Sequence, residues 1–180
     1  MRKIVIFQGD KEKMLEIRRF RETDDIDAIS RIYALSWKKA YRGIIPDDYL
    51  DSIPETRWSA RLLPKPDRIV LAVLDEEIVG VSTFETARDE AMDGWGEVIS
   101  LYLLPSHYGE GIGTKLFKAV INELVLEGYS NIYLWVLEKN TGARNFYEKN
   151  GFVFNGDVNA DNIGGRAVNE VKYVLNLKAE

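Results

Sequence analysis

The sequence predicts a single α/β (α+β) domain in which helices flank a central, mostly antiparallel sheet. Two observations support this class. The chain has 180 residues and 46% hydrophobic content, which suits one domain with a substantial core. Segments in which apolar and polar residues alternate, as in strands, are interspersed with segments whose apolar residues recur at helical spacing. Short loops rich in Gly, Pro, Asn and Asp separate them.

The first third of the chain predicts two strands and two helices. We interpret residues 1–14 as an N-terminal extension with a short strand, which either pairs with the sheet edge or stays mobile. The main domain then covers residues 15–180. Its first strand is followed by a helix capped by Thr23, and Gly43 and Pro46 end that helix before a second one begins.

The remaining elements predict an antiparallel meander followed by alternating helices and strands. An acidic turn at residues 75–77 joins the first two strands of the meander. A segment rich in Asn, Asp and Gly over residues 155–165 is typical of a loop. The predicted strands are 15–21, 68–74, 78–85, 95–103, 131–137, 152–155 and 167–177, and the predicted helices are 23–35, 48–63, 111–128 and 141–149.

Composition excludes several kinds of chemistry. The chain has no cysteine, which excludes thiolate metal sites and an acyl-cysteine intermediate, and its one histidine, His107, makes a histidine metal cluster implausible. We therefore expect no metal, and we interpret His107 as a loop residue. A formal charge of −5 without a basic run argues against nucleic acid and favours a cationic acceptor. No apolar run approaches ~18 residues and no signal peptide is evident, so we expect a cytoplasmic protein that binds no membrane.

The most informative segment is residues 101–117. A strand ends near Pro105, and Gly109, Gly111 and Gly113 then open an amphipathic helix. Glycine allows positive φ and close approach of the backbone, so N–H groups can converge on an anion at the positive end of the helix dipole. Both the P-loop and the dinucleotide-binding fingerprint require a glycine where Thr114 stands. A pyrophosphate cradle of another kind and an ordinary helix-capping loop both remain open.

Two motifs carry a resemblance to a known family. The segment Tyr108-Gly-Glu-Gly-Ile-Gly113 resembles the central motif of the GNAT superfamily of acyl-CoA-dependent N-acyltransferases, with Tyr108 in place of the usual Gln or Arg. The segment Asn140-Thr-Gly-Ala-Arg-Asn-Phe-Tyr-Glu-Lys-Asn-Gly-Phe152 is similar to a second motif of the family. The order of predicted elements over residues 15–177 also matches. The resemblance implies the GNAT fold, with a mixed and splayed sheet.

The resemblance implies acetyl-CoA as co-substrate and a set of residues that bind it. The backbone of Leu101 and Leu103 would extend the hydrogen-bonding pattern of the sheet to the pantetheine arm. Asn140 would bind pantetheine or cap the following helix. The implied cofactor-binding residues are Leu101, Leu103, Tyr108, Gly109, Glu110, Gly111, Ile112, Gly113, Thr114, Asn140, Ala143 and Tyr147.

Amine acylation by a thioester needs a base and an acid, because an ammonium group of pKa ~10 must lose a proton and a thiolate of pKa ~8.5 must gain one. Without cysteine, direct attack in a ternary complex is more economical than a covalent intermediate. The resemblance assigns Tyr147 as general acid and Glu97 as base. The alternatives are a packed core tyrosine and a solvent-facing strand glutamate.

Trp37, Tyr41 and Arg42 fall where the family usually encloses the acceptor. Aromatic rings could hold a cation, whereas Arg42 would favour a carboxylate or phosphate, and local packing is the alternative. We expect an N-acetyltransferase acting on a primary amine of a small molecule or peptide. A protein N-terminal or lysine acetyltransferase and a catalytically silent acyl-CoA sensor are the alternatives. Dimers are common in the family, but no residue here specifies an interface.

Overall fold

An eight-stranded mixed sheet organises the molecule. The computed structural model describes residues 2–8 and 11–177, and within these residues the strands lie in the order β1-β2-β3-β4-β5-β6-β8-β7. All neighbouring pairs are antiparallel except β5 and β6. The strands are β1 Arg2–Gln8, β2 Lys11–Arg19, β3 Ile69–Leu74, β4 Glu77–Thr86, β5 Gly96–Leu103, β6 Asn131–Leu137, β7 Val153–Ile163 and β8 Arg166–Asn176.

Helices cover both faces of the sheet. They are α1 Ile26–Ala40, α2 Asp47–Ser52, α3 Ser59–Leu62, α4 Ile112–Leu126 and α5 Thr141–Lys149. Helices α4 and α5 pack on one face, here called the α4 face, around a core that includes Leu116, Phe117 and Phe152. Helices α1 to α3 pack on the opposite face, the α1 face, around Ile32 and Leu71. Because side chains alternate along a strand, the completely buried β3 supplies both cores.

The parallel strands β5 and β6 separate soon after they meet. They pair only where Gly96 faces Ile132 and Glu97 faces Tyr133. A register shift between β4 and β5 leaves Ile99 as an extra residue in β5, and such a bulge bends a strand. Beyond the paired end the strands diverge, and we call the space between their C-terminal halves the β5–β6 gap.

The hairpin formed by β7 and β8 extends across the α1 face. Its tip reaches α2, where a Cβ atom placed on Gly164 would lie only 2.5 Å from Cγ of Tyr49. The guanidinium group of Arg166 donates a hydrogen bond of 3.1 Å to the carbonyl of Ile44. The hairpin therefore bridges from the sheet to the corner that follows α1.

Most predicted elements are confirmed, and three predictions were wrong. The predicted loop over residues 155–165 is mostly strand, because β7 continues to Ile163 as an edge strand with mostly exposed polar side chains and only residues 164 and 165 form a turn. The second predicted helix is two helices, since Pro54 has no N–H and restricts Ile53. The cap of α1 is Asp25 rather than Thr23, and its carboxylate accepts from the N–H groups of residues 27 and 28.

The N-terminal extension pairs with the sheet edge. Residues 2–8 form β1 against β2, and β2 begins at Lys11, before the predicted domain boundary at residue 15. Leu15 is fully buried in the α4-face core. Residues 1, 9, 10 and 178–180, which the predicted extension and domain also include, lie outside the described residues.

The contact between the hairpin tip and α2 can be tested with two neighbouring glycines. Gly164 and Gly165 both have positive φ, 62° and 82°, but only Gly164 meets Tyr49. Gly165→Ala should lower the free energy of unfolding by about 1 kcal/mol through backbone strain. Gly164→Ala should lower it by about 2–3 kcal/mol because a steric clash is added. If urea denaturation showed the same decrease in the free energy of unfolding for both variants, a close contact at Gly164 would be contradicted.

Candidate active site

The loop that opens α4 presents a row of free backbone donors. Within the residues that the structure describes, the six N–H groups of residues 109–114 donate to no protein acceptor. Gly109 and Gly111 have φ values of 84° and 74°, and Gly111 is the N-cap of α4 without a side-chain cap bond. Glycine is needed at both positions because the left-handed region is unfavourable for other residues. The loop can therefore bind an anion through its backbone.

Space and charge around this loop suit an anionic ligand. A Cβ atom placed on Gly109 or Gly113 would have no atom within 4 Å. The ammonium group of Lys115 lies 3.6 Å from the corresponding position on Gly111, which adds positive charge to the N-terminus of the helix. Beside the loop, Nδ1 of His107 lies 3.0 Å from Oε2 of Glu110.

The predicted backbone contacts on β5 face the β5–β6 gap. The N–H of Leu104 donates to the carbonyl of Val79 on β4 at 2.8 Å. Because backbone groups alternate in direction along a strand, those of Leu101 and Leu103 point away from β4. The carbonyl of Leu103 accepts a hydrogen bond of 2.7 Å from the Ser36 hydroxyl of α1.

The second sequence motif places α5 on the other side of the gap. Asn140 caps this helix, its side-chain oxygen accepting from the N–H of Ala143 at 3.2 Å. Tyr147 packs its ring 5.5 Å from that of Phe117 and 6.3 Å from that of Phe152. In the described part of the chain its hydroxyl has no hydrogen-bond partner. Burial, and the nearby Tyr102 hydroxyl to a smaller extent, raise the pKa of Tyr147 well above its usual range.

On the α1 face, aromatic residues of α1 contact β5. The Trp37 indole N–H donates to the Tyr102 hydroxyl at 2.9 Å, and the Tyr41 hydroxyl lies 3.2 Å from the same oxygen. The Tyr33 hydroxyl lies 2.7 Å from that of Ser100. Burial raises the pKa of Tyr33, Tyr41 and Tyr102, so all three hydroxyls are protonated at neutral pH.

The structure does not bring Arg42 into this cluster. Its exposed guanidinium group donates to Asp51 at 2.7 Å and lies 3.6 Å from Asp47, both on α2. Of the predicted acceptor residues, Trp37 and Tyr41 therefore lie beside the gap, whereas Arg42 is paired at the surface of α2.

Glu97 lies at the paired end of β5 and β6 and does not face solvent. Its side chain is 2% exposed, and Arg88 binds it through Nε at 3.0 Å, Nη2 at 2.6 Å and the backbone N–H at 3.1 Å. The Tyr133 hydroxyl donates a fourth hydrogen bond of 2.7 Å. Three of these bonds reach Oε2 and one reaches Oε1, so the carboxylate is held from both oxygens while almost none of it is exposed.

Lys172 lies beside this carboxylate in a cavity of about 580 Å³ that is open to one side. Its ammonium group is 2.9 Å from Asp89 and 2.8 Å from Asp157, and it lies 4.9 Å from the centre of the Trp135 ring. These contacts outweigh burial and raise the pKa of Lys172. The charged groups on this part of the α1 face are thus largely paired with one another.

Sequence reasoning missed Arg88, Tyr102 and Lys172. Tyr102 could have been found, because Ser100 and Tyr102 are polar side chains at alternate positions between the apolar residues of the C-terminal half of β5. Arg88 lies in the connection after β4, and nothing in its local sequence indicates that it folds back onto Glu97. Lys172 lies 83 residues from its partner Asp89, so only the tertiary fold reveals that pair.

Comparison with known proteins agrees with this architecture. A model of the Acetyltransferase (GNAT) family matches residues 27–152. The uncharacterized N-acetyltransferase YuaI of Bacillus subtilis (strain 168) is 31% identical over 68% of this chain and 72% of that protein. Spermidine N(1)-acetyltransferase of Thermoplasma acidophilum is 26% identical over 77% of this chain and 88% of that protein.

A solved structure shares the fold. PaiA N-acetyltransferase from Thermoplasma acidophilum, in complex with coenzyme A, has a TM-score of 0.68 and 26% identity, covering 88% of this chain and 99% of that chain. The fold and the comparisons together define an acyltransferase. The chain belongs to the GNAT acetyltransferase family, and the predicted family, fold class and enzyme class are confirmed.

Two further properties concern only the described part of the chain. No helix there is long and apolar enough to cross a membrane. No group of three or more Asp, Glu or His side chains in the same residues is placed to hold a metal ion.

The contacts of Glu97 predict that it is important for stability. Glu97→Ala would leave the Tyr133 hydroxyl proton and the Arg88 guanidinium group without their carboxylate acceptor. We expect the free energy of unfolding to fall by about 3 kcal/mol in urea denaturation. Glu85, opposite Glu97 on β4, forms a surface ion pair with Lys65. Glu85→Ala should therefore cost less than about 1 kcal/mol, and an equal loss would show that the buried contacts contribute little.

Proposed function

We propose that the protein transfers an acetyl group from acetyl-CoA to a primary amine of a small molecule or peptide, by direct attack within a ternary complex. The observation that carries this proposal is the row of six free N–H groups at the N-terminus of α4, beside the β5–β6 gap. An activated acyl donor with a pyrophosphate group suits both features. The coenzyme A bound in the PaiA structure supports this choice of donor.

The residues of the chain fit such a donor. The backbone N–H groups of residues 109–114 would bind the pyrophosphate, with Tyr108 beside them. The free edge of β5 at Leu101 and Leu103 would pair with the amides of the pantetheine arm, in the manner of an added strand. Asn140 and Ala143, at the start of α5, would border the same arm. Bound acetyl-CoA supplies an activated thioester, and the protein supplies position and proton transfer.

Tyr147 is the proposed proton donor to the leaving thiolate. Its hydroxyl has no partner among the described residues, so it is free to bond a ligand. A tyrosine hydroxyl is protonated at neutral pH, which an acid requires. Packing against Phe117 fixes the ring, so the structural and catalytic interpretations of Tyr147 are compatible.

The α1 face is the proposed acceptor side. Trp37 and Tyr41 would contact the acceptor there, whereas Arg42, paired with α2, supports no anionic acceptor. The close contact between the hairpin tip and Tyr49 restricts access to the α1 face, which favours a small amine over a folded protein as the acceptor. The charge of −5 and the relative named as a spermidine acetyltransferase favour a cationic amine, such as a polyamine.

The role of Tyr147 can be measured by substitution. Tyr147→Phe keeps the ring packing and removes the hydroxyl, so kcat should fall about 100-fold while the Kd for coenzyme A changes little. Tyr129→Phe is a matched control, because the Tyr129 hydroxyl binds Thr86 away from the gap. Unchanged kcat in Tyr147→Phe would leave Tyr147 with a packing role only.

The function itself can be tested by thiol release from acetyl-CoA across amines, amino acids, polyamines and peptides. The chain has no cysteine, so it contributes no thiol background. We expect turnover with one or more small cationic amines, and weaker or no turnover with folded proteins. Coenzyme A binding in calorimetry without turnover of any amine would instead favour a catalytically silent acyl-CoA sensor.

A further inference from the structure

Glu97 occupies the position expected for the base, but its environment is that of a structural carboxylate. Arg88 and Tyr133 donate three hydrogen bonds to its Oε2 and one to its Oε1, and its side chain is almost completely buried. With only 2% of its side chain exposed, Glu97 offers little surface to an ammonium group or a water molecule. A more accessible carboxylate on the acceptor side is therefore a better candidate for the base.

We propose that Glu170 is the carboxylate that binds the ammonium group of the acceptor and takes its proton. The inference rests on the proposed acetyltransferase function and adds a residue to it. Glu170 lies on β8, where it faces Leu137 of β6 and Asn159 of β7. Leu137 belongs to the part of β6 that no longer pairs with β5, so Glu170 lies level with the β5–β6 gap.

The side chain of Glu170 points to the α1 face. Lys172, two residues further along β8, contacts the rings of Trp135 and Tyr133 on this face. Val168, two residues before Glu170, packs against the core under α1 to α3. Side chains two apart on a strand share a face, so Glu170 lies between these two residues on the acceptor side.

Glu170 differs from Asp89, Asp157 and Glu97 in having no cationic partner, and from the exposed Asp161 in being half-buried. Asp89 and Asp157 are paired with Lys172, and Glu97 is paired with Arg88. No described Lys or Arg forms an ion pair with Glu170, and the Asn159 side chain lies near enough to lower its pKa. An unpaired carboxylate that is half-buried attracts a cation more strongly than a paired or fully exposed one.

The groups around Glu170 change its pKa in the direction that favours accepting a proton. Burial raises the pKa of Glu170, and the charges of Asp161 on β7 and Glu97 on β5 raise it further. The Asn159 amide and the Arg88 guanidinium group act in the opposite direction. On α1, the Tyr41 hydroxyl is close enough for the charge of Glu170 to contribute to the raised pKa of that tyrosine.

In the proposed step, the ammonium group gives one proton to Glu170, and the neutral amine forms a C–N bond to the thioester carbonyl carbon. The C–S bond breaks, and the leaving thiolate takes the hydroxyl proton of Tyr147. The acylated nitrogen then gives its second proton to the Tyr147 phenolate, which restores the hydroxyl. Glu170 releases its proton to water. One amide, one thiol and one free proton result.

The test compares Glu170→Gln with Glu97→Gln and with the control Glu12→Gln, which removes an exposed carboxylate from β2, three strands away from β5. With an amine that the wild type acetylates, Glu170→Gln should lower kcat/KM for the amine about 100-fold or more without changing the Kd for coenzyme A. A loss in Glu97→Gln alone, with Glu170→Gln within twofold of the wild type, would overturn the proposal.

The pH profile separates a base from a residue that only shapes the site. Asp161→Asn removes a charge that raises the pKa of Glu170, so the acid limb of kcat/KM should move to lower pH. In Glu170→Gln the residual activity should lose this limb. An acid limb that stays in place in both variants would assign it to another group and contradict the role of Glu170.

Binding gives a readout that does not need turnover. We expect spermidine to bind the coenzyme A-loaded wild type at least tenfold more tightly than the loaded Glu170→Gln variant in calorimetry. Equal binding by the two proteins would contradict an ammonium site at Glu170. Failure of the wild type to acetylate any amine would count against the proposed function, and this binding comparison would still decide whether Glu170 holds a cation.

Discussion

The separation of β5 from β6 is the constraint on which the site depends. A buried backbone group without a partner costs about 1–3 kcal/mol, so strands that diverge need another source of hydrogen bonds. At the paired end, Gly96 lets α4 lie directly against the strand, because a Cβ atom there would be 2.8 Å from the Leu124 side chain. The same helix begins at the open end, with its first N–H groups free. The β5–β6 gap therefore opens at the same end of the sheet as the loop of residues 109–114, whose N–H groups are free to bind an anion.

The electrostatics of the α1 face follow from the same geometry. Where β5 and β6 pair, the buried Glu97 and Tyr133 are brought side by side and hydrogen-bonded, and the more exposed Arg88 side chain covers the carboxylate from outside. Beyond it, Lys172 forms ion pairs with both Asp89 and Asp157. Charge pairing is thus concentrated at the closed end of the sheet, and Glu170, farther toward the gap, has no ion-pair partner among the described residues.

Much of the fold could be predicted from the sequence, because local signals and burial agree over most elements. Periodicity located β3 to β6, α4 and α5, and the alternate glycines indicated the loop. The prediction failed where tertiary pairing overrides composition. Residues 155–165 resemble a loop, yet an edge strand needs only one hydrogen-bonded neighbour and can leave its Asn and Asp side chains in solvent. The family match also ends at residue 152, before the hairpin.

The candidate site was less predictable than the fold, because its chemistry depends on partners distant in the chain. The sequence shows that position 97 is a glutamate on a strand, but whether that glutamate is free or paired is decided by Arg88 and Tyr133. The role proposed for Glu170 could not be predicted from the sequence either. It lies in an alternating strand where a polar residue suggests solvent, and only the bridging hairpin places it on the acceptor side.

A belt of neutral hydroxyls lies between the two proposed proton-transfer groups. The charge of Glu170 contributes to the raised pKa of Tyr41. The Tyr41 hydroxyl contacts that of Tyr102, which in turn contributes to the raised pKa of Tyr147. The indole N–H of Trp37 can only donate, so it fixes the Tyr102 oxygen as an acceptor and limits how that hydroxyl can turn. Because burial keeps these tyrosines protonated, the belt carries no charge that could neutralise an acid or a base. A carboxylate able to accept a proton and a phenol able to donate one can therefore occupy the same site without bonding directly to each other.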